Sequence, residues 1–500
     1  MPRSRRLRSL SAGLLAGSLA FTGSDALPGV GVAWAQEEPA QEKPAREEPV
    51  QEEPARGADA PPLADEKAVD PREDREELLR LMREFADSFE QIERNYVSEV
   101  SREELLEAAI DGMVAKLDPY STYLDDEEVG LFTREVEGQF IGIGVQILPD
   151  TETGRLTITA PLPGTPAAEA GVRAGDMIVK VDGESVDGLD PSAVTARIKG
   201  PEGEPVKLGL MRPGQEEPLE ITVVRADVRV PTVLGESRRA DGSWDYLLPS
   251  KNSDGGEEGE PKIGLLRVTR FGAGTDRELT EALLQLKEAG AEGVILDLRG
   301  NPGGLLDQAV AVADLFLKEG RIVSTAGRNV ASQSFDALPG GPAEGLKVAV
   351  LVDRFSASAS EIVSAALQDA NRAVVIGERT WGKGSVQTVI NLGGGRTALK
   401  LTTAAYLRPS GANIQRPGPI NRPARQSDED GEWGVTPNEG YRIPLTLPQR
   451  RNLNIDRIVR DRPAGAVAPE QDEEYEPTED PHIAAALKVL TEDEDESSNP

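Results

Sequence analysis

Residues 347–371, KVAVLVDRFSASASEIVSAALQDAN, contain an apolar run, a serine-rich turn and a helical pattern, in that order. The apolar run at 347–352 predicts a buried strand, and the pattern at 360–371 predicts the helix that follows it. The preceding chain shows the same alternation, with strands predicted at 263–268 and 293–298 and helices at 276–289 and 305–317. Buried apolar strands that alternate with helices indicate an α/β domain whose sheet is covered on both faces.

The serine-rich turn, residues 356–361 (SASASE), lies between the predicted strand and the predicted helix. A hydroxyl at this helix start would be close to backbone N–H groups that have no helical partner, and these can stabilise a developing oxyanion. Ser358 and Glu361 also match the Ser-x-x-Glu capping box, which requires no catalysis. Taken alone, the segment favours the cap over a nucleophilic serine.

Lys383 lies between two glycines in the segment 382–387, GKGSVQ. The predicted helix carries the chain about 18 Å from Ser358, at roughly 1.5 Å per residue, and an extended return over 372–380 can cover the same distance. The lysine can therefore meet the serine at one end of the domain. A lysine between glycines is usually exposed or binds phosphate, but Glu378 stands where a phosphate-binding loop has its first glycine.

A glycine-rich loop, residues 297–304 (DLRGNPGG), follows another predicted buried strand. Functional sites of α/β proteins gather at such strand ends, and the N–H of Gly303 or Gly304 could point at a substrate carbonyl group. An ordinary tight turn is the alternative, and it is the default if this loop is considered alone.

Residues 138–225 change to short β segments, with strands predicted at 141–147, 156–160, 177–181, 208–211 and 221–224, a helical turn at 166–170 and a helix at 191–198. The order of these elements, with the loop Gly142-Ile143-Gly144-Val145 and the turn 164–167 (GTPA), resembles a PDZ domain. Successive N–H groups in such a loop can bind a terminal carboxylate, while the adjacent strand edge pairs with an extended peptide. The alternative is that the glycines only form turns.

Charge and composition exclude several classes of function. The formal net charge of −32 and the pI of about 4.6 argue against a nucleic-acid partner, because phosphate binding requires a basic face. The chain has no cysteine, which excludes a thiol nucleophile, a disulfide framework and a thiolate metal site. Its single histidine, His482, lies in an acidic C-terminal stretch, so a histidine-rich zinc site is disfavoured and a Ser-His-Asp hydrolase would depend on that one residue.

The two ends of the chain differ from its middle. Four arginines precede the apolar run 10–21, and residues 33–35 (AWA) form a small-x-small cleavage site, which together predict a secretory leader that is cleaved or kept as an anchor. A disordered N-terminus is the alternative. The Pro- and Glu-rich tract that follows predicts a disordered linker, and the residues after 463 predict an acidic tail with no core, in which 483–490 could form a short helix.

Helices are predicted within residues 75–117, where two runs of apolar residues follow helical spacing, and the segment 118–121 (DPYS) ends the pattern. The polar, Gly- or Pro-rich segments 238–261 and 416–433 predict surface loops. None of these segments by itself points to a reaction.

The serine turn, the Gly-Lys-Gly segment and the glycine-rich loop together resemble the carboxyl-terminal processing peptidases, also called tail-specific proteases. The resemblance runs from about residue 75 to residue 437, and its most specific stretch is 352–361, VDRFSASASE. Residues 409–411 (PSG) and 434–437 (GVTP) match the family as well. The insertions at 238–261 and 416–433 depart from its simplest pattern.

The resemblance implies a role for each candidate residue. Ser358 would be the nucleophile, Lys383 the general base and Gln387 the residue that orients the base, with an oxyanion hole formed by the N–H groups of Gly304 and Ala359 and with no metal or cofactor. A serine hydroxyl is a weak nucleophile, so Lys383 must be neutral to take its proton, and burial can bring the pKa of a lysine to about 7–8.

The resemblance also implies a multidomain α+β protein, in which an α/β catalytic core of crotonase-like type carries an inserted PDZ-like β domain and an N-terminal helical region. The expected boundaries are 1–35 for the leader, 36–74 for the linker, 75–125 for the helical region, 126–228 for the PDZ-like domain, 229–462 for the catalytic domain and 463–500 for the tail. We expect an exported protein of the periplasm or cell envelope that binds protein or peptide substrates through their C-termini. An adaptor protein is a further expected partner, and membrane contact is expected at most through the leader.

Two other functions compete with this interpretation. A non-catalytic, PDZ-containing binding or chaperone protein of the envelope would keep the PDZ features but would have no use for Ser358, Lys383 and Gln387 in register. Another type of serine hydrolase is disfavoured, because the chain has no Ser-x-x-Lys or Gly-x-Ser-x-Gly motif and its one histidine lies in the tail.

Overall fold

The computed structural model describes residues 71–137, 139–149, 155–249, 261–417, 431, 433–463 and 478–492. The predicted leader and nearly all of the predicted linker lie outside these residues. The chain divides into two compact units, and the boundary falls between Met113 and Val114. Among the helices in the described ranges, none is long and apolar enough to cross a membrane.

The first unit contains α1 (Pro71–Asn95) and most of α2 (Arg102–Val114), which confirms the two helices predicted from apolar spacing. Ion pairs between residues four apart, such as Arg80 with Glu84, support α1 along its polar side. Five of the apolar side chains that set the spacing in α1 are 42–56 % exposed, and these are Leu78, Leu79, Met82, Phe85 and Ile92. Helix α1 therefore carries an exposed apolar stripe.

The second unit begins with β1 (Thr122–Leu124) and α3 (Asp126–Glu137), and a β-rich module follows them. The elements of this module are, in chain order, β2 (Gln139–Gly142), β3 (Val145–Pro149), β4 (Leu156–Pro161), α4 (Pro166–Glu169), β5 (Met177–Val181), β6 (Glu184–Ser185), α5 (Pro191–Ile198), β7 (Pro205–Met211), β8 (Leu219–Val224) and β9 (Ala226–Arg229). Strands β3, β4, β5, β7 and β8 form an antiparallel sheet in that order. Leu156 and Ile158 alternate into a core that α5 closes with Val194 and Ile198, as expected for a sheet with one buried face.

One strand predicted in this module is two strands in the structure. The segment 141–147 breaks at Gly144, where φ is +79°. Strand β2, before the break, pairs with β9, whereas β3 pairs with β4. A Cβ atom at Gly144 would overlap the Thr165 side chain, whose hydroxyl donates to the Gly144 carbonyl at 3.0 Å. The apolar alternation across this segment concealed the break, because glycine accepts the left-handed backbone without interrupting the pattern.

The remainder of the second unit contains the α/β core. Its elements are β10 (Val233–Leu234), β11 (Ser237–Arg238), β12 (Trp244–Asp245), β13 (Ile263–Val268), α6 (Thr275–Glu288), β14 (Gly293–Asp297), α7 (Leu306–Asp314), β15 (Arg321–Ala326), β16 (Gln333–Asp336), β17 (Lys347–Val352), α8 (Ala359–Asp369), β18 (Val374–Gly377), β19 (Ser385–Leu392), β20 (Thr397–Leu407), α9 (Leu447–Arg460) and α10 (Pro481–Thr491). The main sheet has the order β10-β13-β14-β17-β18, and β13, β14, β17 and β18 are parallel to one another. The predicted alternation of buried strands and helices is confirmed.

The main sheet is covered on both faces, as its uniformly apolar strands predict. On one face, α6, α7 and α8 contribute buried residues such as Leu283, Val312 and Val363 to the largest core cluster. The other face packs against α10, which contributes Ala486 and Leu490. The turn after β17 and the loop after β14 therefore leave the same edge of a rigid sheet.

A second sheet was not predicted from the sequence. Its strands follow the order β1-β20-β15-β16, and β19 also pairs with β20, all antiparallel. Most of these strands have half-buried or exposed residues, so they lack the continuous apolar run that marks the main sheet. This sheet is important for the site because β19 begins at Ser385, two residues after Lys383.

The C-terminal helix α10 corrects the prediction that residues 463–500 contribute nothing to a core. The short helix predicted at 483–490 is present, and its Ala486 and Leu490 are buried. Asp480 caps the helix by accepting from the N–H of His482 at 3.0 Å, and it pairs with Arg299 at 2.8 Å. Acidic residues on both sides lower the mean apolar content of the tail, and for this reason its contribution to the core was not predicted.

The ends of the two predicted surface loops also differ from expectation. Within 238–261, residues 237–238 and 244–245 pair as β11 and β12, and residues 250–260 lie outside the described ranges. Within 416–433, Arg416 and Trp433 are buried, with the guanidinium carbon 5.6 Å from the centroid of the indole ring. An aromatic ring stabilises the charge of an arginine stacked on it, so such an arginine can be buried. The polar composition of the segment does not reveal this contact.

Candidate active site

The three serines of the turn after β17 have different surroundings. Ser356 Oγ donates to the carbonyl of Leu298 and accepts from the N–H of Asp353, each at 2.9 Å. Ser360 Oγ donates to the carbonyl of Asn301 at 2.9 Å. These two hydroxyls fasten the turn to the loop after β14. Ser358 lies between them at the N-terminus of α8, and it is 3 % exposed.

Ser358 has an unusual backbone conformation, with φ +55° and ψ −114°. Non-glycine residues rarely occupy this region, and doing so costs on the order of 1–3 kcal/mol. Such a conformation persists only where surrounding contacts enforce it. Here the neighbouring serines fix the turn, and the Glu361 carboxylate accepts from the Ser358 N–H at 2.8 Å. Strain of this kind is concentrated at functional sites.

The Glu361 carboxylate joins the serine turn to the lysine segment. Oε2 accepts from the backbone N–H of Ser358 and from that of Lys383, each at 2.8 Å. Oε1 accepts from the N–H of Gly382 at 2.7 Å and from the Thr380 hydroxyl. One oxygen atom therefore bridges the backbones of the two predicted catalytic residues. Their backbone nitrogens can lie no farther apart than the combined length of these two hydrogen bonds. The sequence had indicated only a capping role for Glu361.

The glycines on either side of Lys383 allow close packing. A Cβ atom at Gly382 would lie 2.6 Å from Cβ of Arg416 and 2.7 Å from Cε3 of Trp433. At Gly384 it would overlap the backbone of Gln415. The two residues thus let the lysine segment pass against the buried ends of the 416–433 loop, and Lys383 is left only 5 % exposed.

Burial lowers the pKa of Lys383 to about 7, and the nearby positive charge of Lys400 contributes in the same direction. The carboxylates of Glu361 and Asp118 oppose both effects by favouring the ammonium form. Because desolvation disfavours the charged form, the neutral amine is well populated near neutral pH. A buried lysine in this state can accept a proton, which an exposed lysine cannot do in the same pH range.

Gln387 lies on β19 and is 2 % exposed. Its Nε2 donates to Ser385 Oγ at 2.9 Å and to Thr402 Oγ1 at 3.3 Å. These bonds fix the plane of the amide group within the second sheet. The structure thus places Gln387 on the strand that follows the lysine, and its role in orienting Lys383 stays a prediction.

The glycine-rich loop after β14 lies against the serine turn. Asn301 holds the loop, since its Nδ2 donates to the Val268 carbonyl at 2.7 Å and its Oδ1 accepts from the Gly303 N–H at 2.9 Å. A Cβ atom on Gly303 would lie 2.8 Å from Cβ of Ser358 and 3.0 Å from the nitrogen of Ala359. Gly304 forms an isolated parallel β-bridge with Phe271. Within the described ranges, neither the N–H of Gly304 nor that of Ala359 donates a hydrogen bond.

The predicted peptide-binding loop lies between β2 and β3. The Ile143 side chain is buried in the core of the β module, and its carbonyl accepts from the Ala167 N–H at 2.8 Å. The Gly144 carbonyl accepts from the Leu162 N–H at 2.8 Å. Val145 begins β3, which is an edge strand of the sheet, while Gly142 ends β2. An edge strand next to a fixed loop is the arrangement to which an extended peptide can be added.

The described residues include no group of three or more His, Asp or Glu side chains arranged to hold a metal ion. His482 is fully buried, with Nε2 2.7 Å from the Ile443 carbonyl and Nδ1 3.2 Å from Nη1 of Arg299. Burial and the charge of Arg299 lower the pKa of His482. The histidine is thus part of the packing of α10 and belongs to a different side of the main sheet from the helices that flank the serine.

Comparison with known proteins places the chain in a family. The model for "Peptidase family S41" matches residues 262–420, the model for "PDZ domain" matches residues 157–212, and the model for "Activating protease CtpB N-terminal domain" matches residues 32–128. The first match contains both the serine turn and the lysine segment. The second covers most of the β module.

Relatives with similar sequences have matching descriptions. A carboxy-terminal-processing protease from Bartonella bacilliformis is 40 % identical over 336 residues, which cover 66 % of this chain and 72 % of that protein. The carboxy-terminal processing protease CtpA from Bacillus subtilis is 36 % identical, with 66 % of each chain covered. Among solved structures, a photosystem II D1 C-terminal processing protease aligns with 29 % identity and a TM-score of 0.39, covering 72 % of this chain and 92 % of that one.

The chain therefore belongs to the carboxy-terminal processing proteases, which are serine proteases of peptidase family S41. It has the S41 peptidase fold, a mixture of helices and sheets, together with a PDZ domain. As a protease with a PDZ domain, it acts on protein substrates.

Proposed function

We propose that this protease is an exported endopeptidase that uses a Ser358–Lys383 pair to cleave proteins near their C-termini. The observation that carries the proposal is the Glu361 carboxylate, which accepts from the backbone N–H groups of both residues through one oxygen. Two segments 25 positions apart in the sequence are thereby held at one point beside a strained serine. The lowered pKa of Lys383 supplies the second requirement, a base that is neutral near pH 7.

The proposed reaction is acyl transfer followed by hydrolysis. Neutral Lys383 accepts the proton of the Ser358 hydroxyl as Oγ attacks the scissile carbonyl, and the N–H groups of Gly304 and Ala359 donate to the resulting oxyanion. The ammonium then returns its proton to the departing amine nitrogen, which leaves with the C-terminal fragment. Water, deprotonated by Lys383, hydrolyses the ester, and Ser358 regains its proton. Gln387 would hold the lysine in position, and the scheme requires no metal or cofactor.

We further infer that the PDZ domain binds the substrate C-terminus. The loop Gly142-Ile143-Gly144-Val145 would hold the terminal carboxylate by backbone N–H groups, while edge strand β3 pairs with the preceding residues. The boundaries 126–228 for this domain and 229–462 for a crotonase-like catalytic domain belong to the same proposal, as does an adaptor protein. Export to the periplasm or envelope rests on the basic, apolar and small-residue pattern of residues 1–35.

Purified parent protein and a Ser358→Ala variant, incubated with protein substrates and peptides, would test the proposal by mass spectrometry of the products. The parent should release C-terminal fragments, and Ser358→Ala should release none because the acyl acceptor is gone. Ser332→Ala, at an exposed serine, is the matched control and should cleave like the parent. Capture of substrates without cleavage by the parent would instead support the binding or chaperone function.

A further inference from the structure

Tyr120, in the turn between α2 and β1, has its aromatic ring next to the amine of the proposed base. The ring centroid of Tyr120 lies 4.5 Å from Nζ of Lys383. A cation at this distance from the face of a ring is attracted by its quadrupole. The ring also fills space beside the amine that water would otherwise occupy. Attraction to the ring raises the pKa of Lys383, whereas exclusion of water lowers it.

The position of the ring is fixed by a network of hydrogen bonds. The Asp118 carboxylate accepts from the N–H of Tyr120 at 2.7 Å and from the N–H of Ser121 at 2.8 Å. Ser121 Oγ donates to the same carboxylate at 2.8 Å and accepts from the N–H of Thr402, on β20, at 3.0 Å. The turn is thereby attached to the strand that pairs with β19. The Trp381 side chain is also hydrogen-bonded to Tyr120.

The charged groups around Lys383 and Tyr120 come from several elements. Lys383 is close to the positive charge of Lys400 on β20 and to the carboxylates of Glu361 on α8 and Asp118 in the turn. Tyr120 is close to the same two carboxylates and to Arg416. Burial raises the pKa of Tyr120, so its hydroxyl carries no charge near pH 7 and the ring acts only through its bulk and its π face. The carboxylates favour the ammonium, so the neutral lysine depends on desolvation.

We propose that Tyr120 is a positioning residue for Lys383, which its ring covers against water so that the amine is neutral when substrate arrives. The same ring face stabilises the ammonium that forms when the lysine takes the proton of Ser358. The proposal rests on the proposed Ser–Lys function and adds a residue to it. Since burial can move the pKa of a lysine by several pH units, the loss of the cover should outweigh the loss of the π contact.

The test is the pH dependence of kcat/KM for Tyr120 variants on one peptide. In Tyr120→Ala, water reaches Nζ, so the acid-limb midpoint should rise from the parent's value, near 7, by about one pH unit. Well below both midpoints this corresponds to roughly a tenfold loss of kcat/KM, and raising the pH should restore the rate. Tyr120→Phe keeps the ring and should retain the parent's midpoint. Tyr123→Ala, which removes another half-buried ring two residues after Ser121, is the matched control.

A uniform loss of rate in Tyr120→Ala, with the midpoint unchanged, would overturn the proposal, because a merely structural role acts equally at every pH. Tyr120→Leu covers the case in which the alanine variant fails to fold. Leucine keeps an apolar cover but has no π face to stabilise the ammonium, so the acid-limb midpoint of Tyr120→Leu should lie below that of the parent. An unchanged or higher midpoint would contradict stabilisation of the ammonium by the ring.

A readout without turnover separates this inference from the proposed function. Acetic anhydride labelling of Lys383 across pH, measured by mass spectrometry in the Ser358→Ala background, reports the pKa of the amine directly. Adding Tyr120→Ala should raise the labelling midpoint. If labelling shifts while the parent protein cleaves nothing, the proposed function fails and the contact is upheld; if the parent cleaves and labelling does not shift, the inference alone fails.

Discussion

The serine turn places its three serines in different environments, with Ser358 strained between two residues that are hydrogen-bonded to the neighbouring loop. The Ser358 N–H donates to the Glu361 carboxylate, as the predicted capping box requires, so the cap is present in the structure. The strained backbone of Ser358 and the acceptor that it shares with Lys383 support the proposed nucleophile in addition. The flanking Ser356 and Ser360 are anchors to the neighbouring loop. Their role depends on carbonyl groups some 60 positions away in the sequence, so no local pattern could predict it.

Glu361 was missed as a site residue for a related reason. Its spacing from Ser358 predicts a cap, but its bonds to Gly382 and Lys383 cross between segments that only the fold brings together. Burial raises the pKa of this carboxyl group, while its four hydrogen-bond donors oppose that effect. The carboxylate therefore belongs to the candidate site, because it sets the separation of the backbones of the proposed nucleophile and the proposed base.

Replacing Glu361 by Gln should consequently damage both turnover and stability. One oxygen becomes an NH₂ group, which cannot accept from the backbone N–H groups it would face. We expect the free energy of unfolding to fall by about 1–3 kcal/mol or more, with loss of most kcat and a smaller change in KM. Urea unfolding and steady-state kinetics measure these effects, with the exposed Glu288→Gln as control. Parent-like kcat in folded Glu361→Gln would contradict this account of the site.

At the scale of elements, the main sheet was predictable and the second sheet was not. Strands β13 and β17 have the predicted limits because buried parallel strands are continuous apolar runs. Strands β15, β16, β19 and β20 mix apolar and polar residues and pair across long stretches of chain. Their register depends on partners that the local sequence does not specify. Segment lengths showed only that the lysine segment could reach the serine, and in the structure the backbones of both residues donate to Glu361.

Helix α10 is the other element whose contribution to the core was not predicted from the sequence. Beyond its apolar contacts, it brings Asp480 to Arg299, which also pairs with Asp297 at the end of β14. Arg457 of α9 donates to the same Asp297 at 2.8 Å. Two C-terminal helices thus converge on the strand end that precedes the glycine-rich loop, and α10 is expected to support that loop as well as to cover the sheet.

The variant Leu490→Ala tests the contribution of α10. It removes a side chain that is 2 % exposed and leaves a cavity against the main sheet. We expect the free energy of unfolding to fall by about 2–5 kcal/mol, seen as a lower urea midpoint with an unchanged slope. Lys488→Ala, at an exposed position of the same helix, should change it by less than about 0.5 kcal/mol. Equal, small effects of both substitutions would show that α10 is not part of the cooperative core.

At the scale of the whole molecule, the sequence indicated a PDZ domain and a protease, and the family matches confirm both. The limits of each domain were harder to predict, because β1 belongs to the second sheet although it precedes the β module in the chain. A short strand whose partner, β20, lies far away in the sequence has no local signature.

If the PDZ domain receives the substrate C-terminus, amidation of that terminus should impair processing. The amide lacks the charge that strengthens hydrogen bonds from backbone N–H groups, so kcat/KM should fall roughly tenfold to a hundredfold, mainly through KM. Paired free-acid and amidated forms of one protein substrate provide the measurement. A short peptide confined to the catalytic site should respond less and serves as the control. Equal rates for both protein forms would remove the carboxylate from recognition.

Steady-state kinetics of Lys383→Arg decide whether Lys383 is the base for Ser358. A guanidinium stays protonated throughout the accessible pH range and has no acceptor, so a folded Lys383→Arg protein should be as inactive as Ser358→Ala at every pH. Parent activity should rise with pH through about 7, because the lowered pKa of Lys383 makes the amine neutral above that value. Substantial turnover by Lys383→Arg, with its fold verified by circular dichroism, would contradict the account and remove the lysine from the mechanism.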